Sequence, residues 1–184
     1  MMSRSVAAKD DPVSAESAAA SLPCRLRHDV LPQDCETVRG LVERTGFFTR
    51  DEVAIAVELV DARLSDGPAS GYQFVFAELD GALAGYACYG PIPCTAASYD
   101  LYWIAVEPKF QRHSVGRMLM DVVESQVAAR GGERIYIDTS GRNQYAPTRA
   151  FYERSGFDAE ARLKDFYAPG DDRVIYVKSL LKSR

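Results

Sequence analysis

Gln111, Arg112, His113, Ser114, Val115 and Gly116 form a short polar stretch between an apolar run that ends at Val106 and a helical pattern that opens at Gly116. A strand, a tight loop and a helix start in that order leave backbone N–H groups unpaired in the first helical turn, where the helix dipole adds positive charge. Such a turn is suited to holding phosphate, and here it reads as a pyrophosphate cradle extending to Arg117. It is not a P-loop, because no Lys followed by Ser or Thr succeeds the Gly, and it carries no GxGxxG. Two further side chains can move protons. Tyr152 has a hydroxyl with an ordinary pKa of about 10, protonated at pH 7 and able to donate. Asp100 is a carboxylate on the same apolar run as Val106, able to accept a proton or to bind a cation.

The elements that must position these groups follow from spacing and punctuation. A short strand at Cys24 to Arg27 precedes a helix from about Gln33 to Thr45. A second helix follows Thr49, which with Glu52 makes a capping box, and Val53, Val57, Val60 and Leu64 recur at helical spacing until about Ser65. Tyr72 to Leu79 and Ala82 to Tyr89 flank Asp80-Gly81, a strong hairpin signal. The strand Ser98 to Val106 then leads to the cradle helix, whose buried face is Val115, Leu119, Val122, Val123 and Val127 and which Gly131-Gly132 stops. Arg134 to Thr139 is another strand. A short helix bearing Tyr152 has Pro147 in its first turn and ends at Gly156, and two strands near Asp158 to Leu163 and Arg173 to Leu180 complete the chain.

Two motifs in this frame resemble those of the GNAT superfamily of acyl-CoA-dependent N-acetyltransferases. The loop Gln111 to Gly116 matches its acyl-CoA pattern with one departure, Ser114 in place of the usual first Gly. The segment Pro147 to Phe157 matches its late motif, a helix with a Tyr four residues before Gly-Phe, here Tyr152 and Gly156-Phe157. The resemblance covers roughly Cys24 to Leu180 and implies an α/β (α+β) GNAT fold: a mixed, mostly antiparallel sheet of about seven strands with about four helices, whose splayed central strands hold acyl-CoA.

That resemblance implies acetyl-CoA as cosubstrate, with direct transfer to a primary amine of a small molecule or amino acid. Ile104, Ala105 and Val106 would contact the cofactor arm, and a bulge near Val106 would free a backbone donor for the acyl oxygen. Tyr152 would be the general acid. Asp100 stands where histone-acetylating relatives carry a Glu as base, and base or substrate contact both stay open. The family often has an Asn seven residues before its catalytic Tyr; that position is Tyr145, and Asn143, two residues earlier, is the candidate cofactor contact. The fold walls its acceptor side with the first two helices and the last hairpin, which nominates Phe47, Phe48, Tyr99, Tyr102, Phe166 and Tyr167. A catalytically silent CoA-binding sensor and a protein or peptide N-acetyltransferase remain as alternatives.

Composition fits one compact domain: 184 residues, 47% hydrophobic. A formal net charge of -4 and the absence of a Lys/Arg-rich run argue against nucleic acid as a partner. Cys24, Cys35, Cys88 and Cys94 lack paired zinc spacing, so no metal is expected. Residues 1–22, rich in Ala, Ser and acidic groups, read as a disordered tail without a signal peptide's apolar core. With no membrane span either, the expectation is a cytoplasmic protein, monomeric or a homodimer.

Overall fold

The apolar periods become seven strands and four helices in the computed structural model, which describes residues 24–181; the expected tail, residues 1–22, lies outside the described residues. In chain order these are β1 (Arg25–Arg27), α1 (Asp34–Thr45), α2 (Arg50–Asp66), β2 (Gln73–Leu79), β3 (Ala82–Pro91), β4 (Ser98–Val106), α3 (Val115–Ala129), β5 (Arg134–Ser140), α4 (Ala146–Arg154), β6 (Asp158–Ala168) and β7 (Asp171–Ser179). They form one sheet of order β1-β2-β3-β4-β5-β7-β6, in which β4 and β5 run parallel and the other described pairs antiparallel.

Local chemistry explains the boundaries. Thr49 and Glu52 make the expected capping box, and Gly46 ends α1 in the left-handed region at φ 70°. Asp80 and Gly81 lie at φ 51° and 74°, the double positive φ of a type I′ hairpin turn. The α1–α2 face buries Val38, Leu41, Val42 and Val60 against Phe74, Phe76 and Tyr86; the opposite face buries Leu119, Met120, Val123 and Val127 of α3 against Val75, Ala87, Leu101 and Ile135. Each such side chain contributes about 1.5–3 kcal/mol of burial.

The feature that shapes the site is the parting of β4 and β5. Only Ser98↔Arg134, Tyr99↔Ile135 and Asp100↔Tyr136 pair; beyond them β4 continues on β3 as far as Val106, and β5 continues on β7 as far as Ser140. A bulge precedes the gap. Leu101 opposes Tyr89 and Trp103 opposes Cys88, so Tyr102 is the extra residue. The bulge expected near Val106 is therefore four residues earlier, and Val106 stays in register with Gly85. A side chain at Gly85 would meet the Ala105 carbonyl at 2.8 Å and Leu119 at 3.1 Å, so that Gly lets β3, β4 and α3 close tightly there.

The terminal hairpin also departs from expectation. β6 runs to Ala168 rather than Leu163, and β7 starts at Asp171 rather than Arg173. Asp165 at φ 53° and a register break between Leu163 and Ala168 hide the strand from a period-2 reading.

A buried ion triad fastens the other edge. Arg27 of β1 donates to both carboxylate oxygens of Asp34 at 2.8 and 2.9 Å and to Glu78 of β2 at 2.8 Å, while Asp34, only 2% exposed, also accepts from the Leu31 N–H. Removing the cation would leave a buried charge unpaired. Arg27→Met is expected to lower unfolding free energy by about 3 kcal/mol, read by urea denaturation; a loss under about 0.5 kcal/mol, as for exposed pairs, would show the triad to be incidental.

Candidate functional site

Along β4, the Glu107 N–H donates to the Ala84 carbonyl of β3 at 2.9 Å. Antiparallel alternation then turns the N–H groups of Ala105 and Trp103 toward β3 and those of Ile104 and Val106 toward the gap that β5 has left. No strand occupies that gap among the described residues. It widens into a cavity of about 950 Å³ lined by Ile104, Ala105 and Val106, by Gln111, Arg112, Ser114, Val115, Gly116 and Arg117, and by Tyr152.

The loop leads into α3 one residue before Gly116, with Ser114 as its N-cap. The first helical bond runs from the Met118 N–H to the Ser114 carbonyl at 2.9 Å, so the N–H groups of Val115, Gly116 and Arg117 have no acceptor within the helix. Arg112 and Ser114 both lie in the left-handed region, at φ 65° and 62°. That conformation is the one a Gly adopts freely and a Ser only with strain, which explains why a Gly suits this position. A Cβ on Gly116 would sit 3.5 Å from Phe151 and 3.6 Å from Val106, ordinary contact distances, so Ala fits and anything longer enters the cavity. His113 is exposed, donates to the Gln111 carbonyl at 2.9 Å and does not line the cavity. These groups fit a pyrophosphate-bearing acyl carrier: free donors at one end, and free strand N–H groups and apolar side chains along the gap.

Tyr152 stands on α4 with its ring among those of Phe151, Phe157 and Tyr176, at centroid separations of 5.7, 6.4 and 5.7 Å. Burial raises its hydroxyl pKa well above the ordinary value, with Tyr176 and Tyr145 adding to the rise. Its proton is firmly held at neutral pH. The residue, only 6% exposed, lines the cavity.

On the other face, Phe47, Phe48, Tyr102 and Tyr167 line the cavity as expected. Tyr99 does not: the bulge at Tyr102 reverses the facing of β4, so Tyr99 and Leu101 share the α3 side with Ile104 and Val106. Phe166 is half exposed and carries the Arg173 guanidinium over its ring at 4.9 Å, outside the lining. Asn143 is exposed and also outside it; Tyr145 lines the cavity instead.

Asp100 sits where β4 and β5 still pair, on the α1–α2 face but beyond the cavity wall. Burial raises its pKa, the negative charge of Asp138 adds to the rise, and Arg173 opposes it. Asp138 of β5 does line the cavity, ion-paired with Arg173. Trp103, Phe110, Ser140 and Phe151 are further lining residues not foreseen. Alternation along β5 was a signal for Asp138 and Ser140, whereas Trp103 was hidden by the bulge. Asp171 anchors the far rim, accepting from the Ser140 hydroxyl at 2.5 Å and pairing with Arg142 at 3.0 Å.

Two outcomes follow from these environments. A carboxyl whose folded pKa is raised costs stability when ionised and nothing once protonated. Asp100→Asn is therefore expected to raise the melting temperature at pH 7, with the gain fading as pH falls through the raised folded value toward the ordinary ~3.9; an equal gain at pH 3 and pH 7 would refute the assignment. Ser114→Gly relieves a left-handed Ser and is expected to stabilise the fold by up to about 1 kcal/mol without weakening CoA binding in calorimetry. Markedly weaker CoA binding would instead make the Ser114 hydroxyl a contact.

Comparison with known proteins agrees with this geometry. The model of the acetyltransferase (GNAT) family matches residues 42–157, from within α1 to the Phe157 that follows α4. A crystal structure of a protein from Desulfovibrio desulfuricans, assigned to the GNAT family as an acetyltransferase, superposes with a TM-score of 0.85 at 53% identity, covering 86% of this chain and 100% of that one. Mycothiol acetyltransferase of Beutenbergia cavernae is 34% identical over 106 residues, 55% of this chain and 34% of the relative. A ribosomal protein bS18-alanine N-acetyltransferase of Salmonella typhimurium is 36% identical over 69 residues, 38% of this chain and 45% of the relative. The match thus spans less than half the length of either curated relative. With more than half of the chain under the family model, this protein belongs to the acetyltransferase (GNAT) family.

Proposed function

We propose that this chain is an acetyl-CoA-dependent N-acetyltransferase that acts on a primary amine of a small molecule or amino acid, transferring the acetyl group directly in a ternary complex. The observation that carries this reading is a single cavity joining four groups: the free N–H donors at the start of α3, the gap-facing N–H groups of Ile104 and Val106, the Tyr152 hydroxyl, and an aromatic mouth of Phe47, Phe48, Tyr102 and Tyr167. Acetyl-CoA supplies an activated thioester when bound, and no metal is assigned to the reaction. Gln111 to Arg117 hold its pyrophosphate, and the strand N–H groups align and polarise its acyl oxygen.

The two protons have separate handlers. An alkylamine with a pKa of about 10.4 needs roughly 4 kcal/mol to lose its proton at pH 7, so a base or a water relay is required. Asp100 lies on the acceptor face beyond the cavity wall, with its pKa raised by burial, so a role as base runs through water, the alternative being a contact for the acceptor ammonium. At the other end of the transfer Tyr152 donates to the departing sulfur. Its raised pKa keeps the proton present at neutral pH and also makes the hydroxyl a weaker acid than a free Tyr.

The acceptor's identity is the open variable: one relative is named for mycothiol and another for an alanine of a ribosomal protein. Among the described residues no helix is long and apolar enough to cross a membrane, and a cytoplasmic location belongs to the same proposal. The test is an amine-library screen with acetyl-CoA, read by thiol release and mass spectrometry. CoA binding with no acetylated product from any amine or peptide would favour a silent CoA-binding sensor. With the best amine, Tyr152→Phe is expected to lower kcat by about 10² to 10⁴ while leaving CoA affinity unchanged. Undiminished turnover in that variant would remove Tyr152 from the mechanism.

A further inference from the structure

Tyr145 departs from the family's Asn, lines the cavity, is only 8% exposed, and has no part in the proton transfers. It ends the 3-10 turn Asn143–Tyr145 and is the residue from which α4 starts, seven positions before Tyr152. Its hydroxyl donates to the Phe47 carbonyl at 3.3 Å, and the two rings lie 6.2 Å apart. Phe47 follows Gly46, the left-handed cap of α1, in the loop that also carries Phe48. The Arg142 guanidinium lies over the Tyr145 ring at 5.6 Å and pairs with Asp171 of β7.

These contacts cross the gap between the parted strands. On the β4 side, Arg44 near the end of α1 grips Glu107, at the end of β4, through bonds of 2.8 to 3.2 Å. On the β5 side the chain runs from Ser140 through Arg142 to Tyr145. The Tyr145 hydroxyl bond crosses between the two sides, linking the acceptor-facing loop to the turn from which the Tyr152 helix starts. An Asn side chain, several bonds shorter, cannot span from the same backbone position to the Phe47 carbonyl. At 3.3 Å the bond is longer than an ordinary hydroxyl bond.

We propose that Tyr145 is a positioning residue for the acceptor: its tie to Phe47 sets the placement of the Phe47–Phe48 wall relative to Tyr152 and thereby determines which amines bind productively. This rests on reading the cavity as the acceptor site of an N-acetyltransferase.

The test compares wild type with Tyr145→Phe, which keeps the ring and loses the hydroxyl, and Tyr145→Asn, which restores the family residue. Amide hydrogen exchange over Gly46 to Thr49 is expected to speed up several-fold in both variants, with the CoA-induced thermal shift unchanged. With the best amine from the screen, acceptor KM is expected to rise about three- to tenfold, the size of one lost hydrogen bond, with kcat within about twofold. Unchanged exchange in the loop would overturn the tie. A CoA shift that falls in step with KM would overturn it too, making Tyr145 a cofactor contact, as would a fall in kcat with KM unmoved. If wild type acetylates no amine, the acetyltransferase reading fails, while the exchange measurement still decides the tie.

Discussion

One extra residue in β4 governs the geometry of this molecule. Tyr102 has no partner of its own on β3, and a bulge bends and twists the strand that carries it. The last pair between β4 and β5, Asp100↔Tyr136, lies just before it. Past that point each central strand follows its outer neighbour, and the N–H groups of Ile104 and Val106 face open space. Unpaired backbone donors inside a protein are costly unless a ligand or water meets them. The same bend that interrupts the ladder therefore leaves donors in the gap that call for a ligand or water.

The bulge also sorts the chemistry by face. Before it, Tyr99 and Leu101 point toward α3; after it, Ile104 and Val106 do, and Tyr102, Trp103 and Ala105 turn to the α1–α2 side. Tyr152 belongs to the apolar cluster on the α3 side, where burial holds its proton. Asp100 lies on the opposite face, beside the charges of Asp138 and Arg173. The gap is where the two faces meet; Tyr152 lines the cavity there, whereas Asp100 lies beyond its wall, where burial raises its pKa.

The loop and the helix that line one half of the cavity were legible because their signals are local. The cradle is a contiguous run from Gln111 to Arg117 whose strain at Ser114 was visible as a missing Gly, and Tyr152 is set by its distance from Gly156-Phe157. Hairpin, caps and helix faces were legible for the same reason. Tyr99, Trp103 and the place of the bulge were not, since one unpaired residue shifts every later side chain to the other face and nothing in Leu101-Tyr102-Trp103 marks it. Tyr145 could be named only as a departure, because its partner carbonyl is 98 residues away in sequence.

The comparisons divide along the same line. The family match ends at Phe157, before β6 and β7, and so includes the cradle, β4 and the Tyr152 helix but neither Tyr167 nor Asp171. A phosphate cradle is made of backbone donors, which tolerate many sequences and can be inherited as a unit. An acceptor wall is made of side chains from separate elements: Phe47 and Phe48 between α1 and α2, Asp138 on β5, Tyr167 on the β6–β7 hairpin. Each can change without disturbing the cradle, and the Tyr145 hydroxyl bonds one of those walls, at the Phe47 carbonyl, to the start of α4. Membership in the family accordingly carries the acyl donor with it. The choice of amine has to be found in these few side chains and in how firmly they are held.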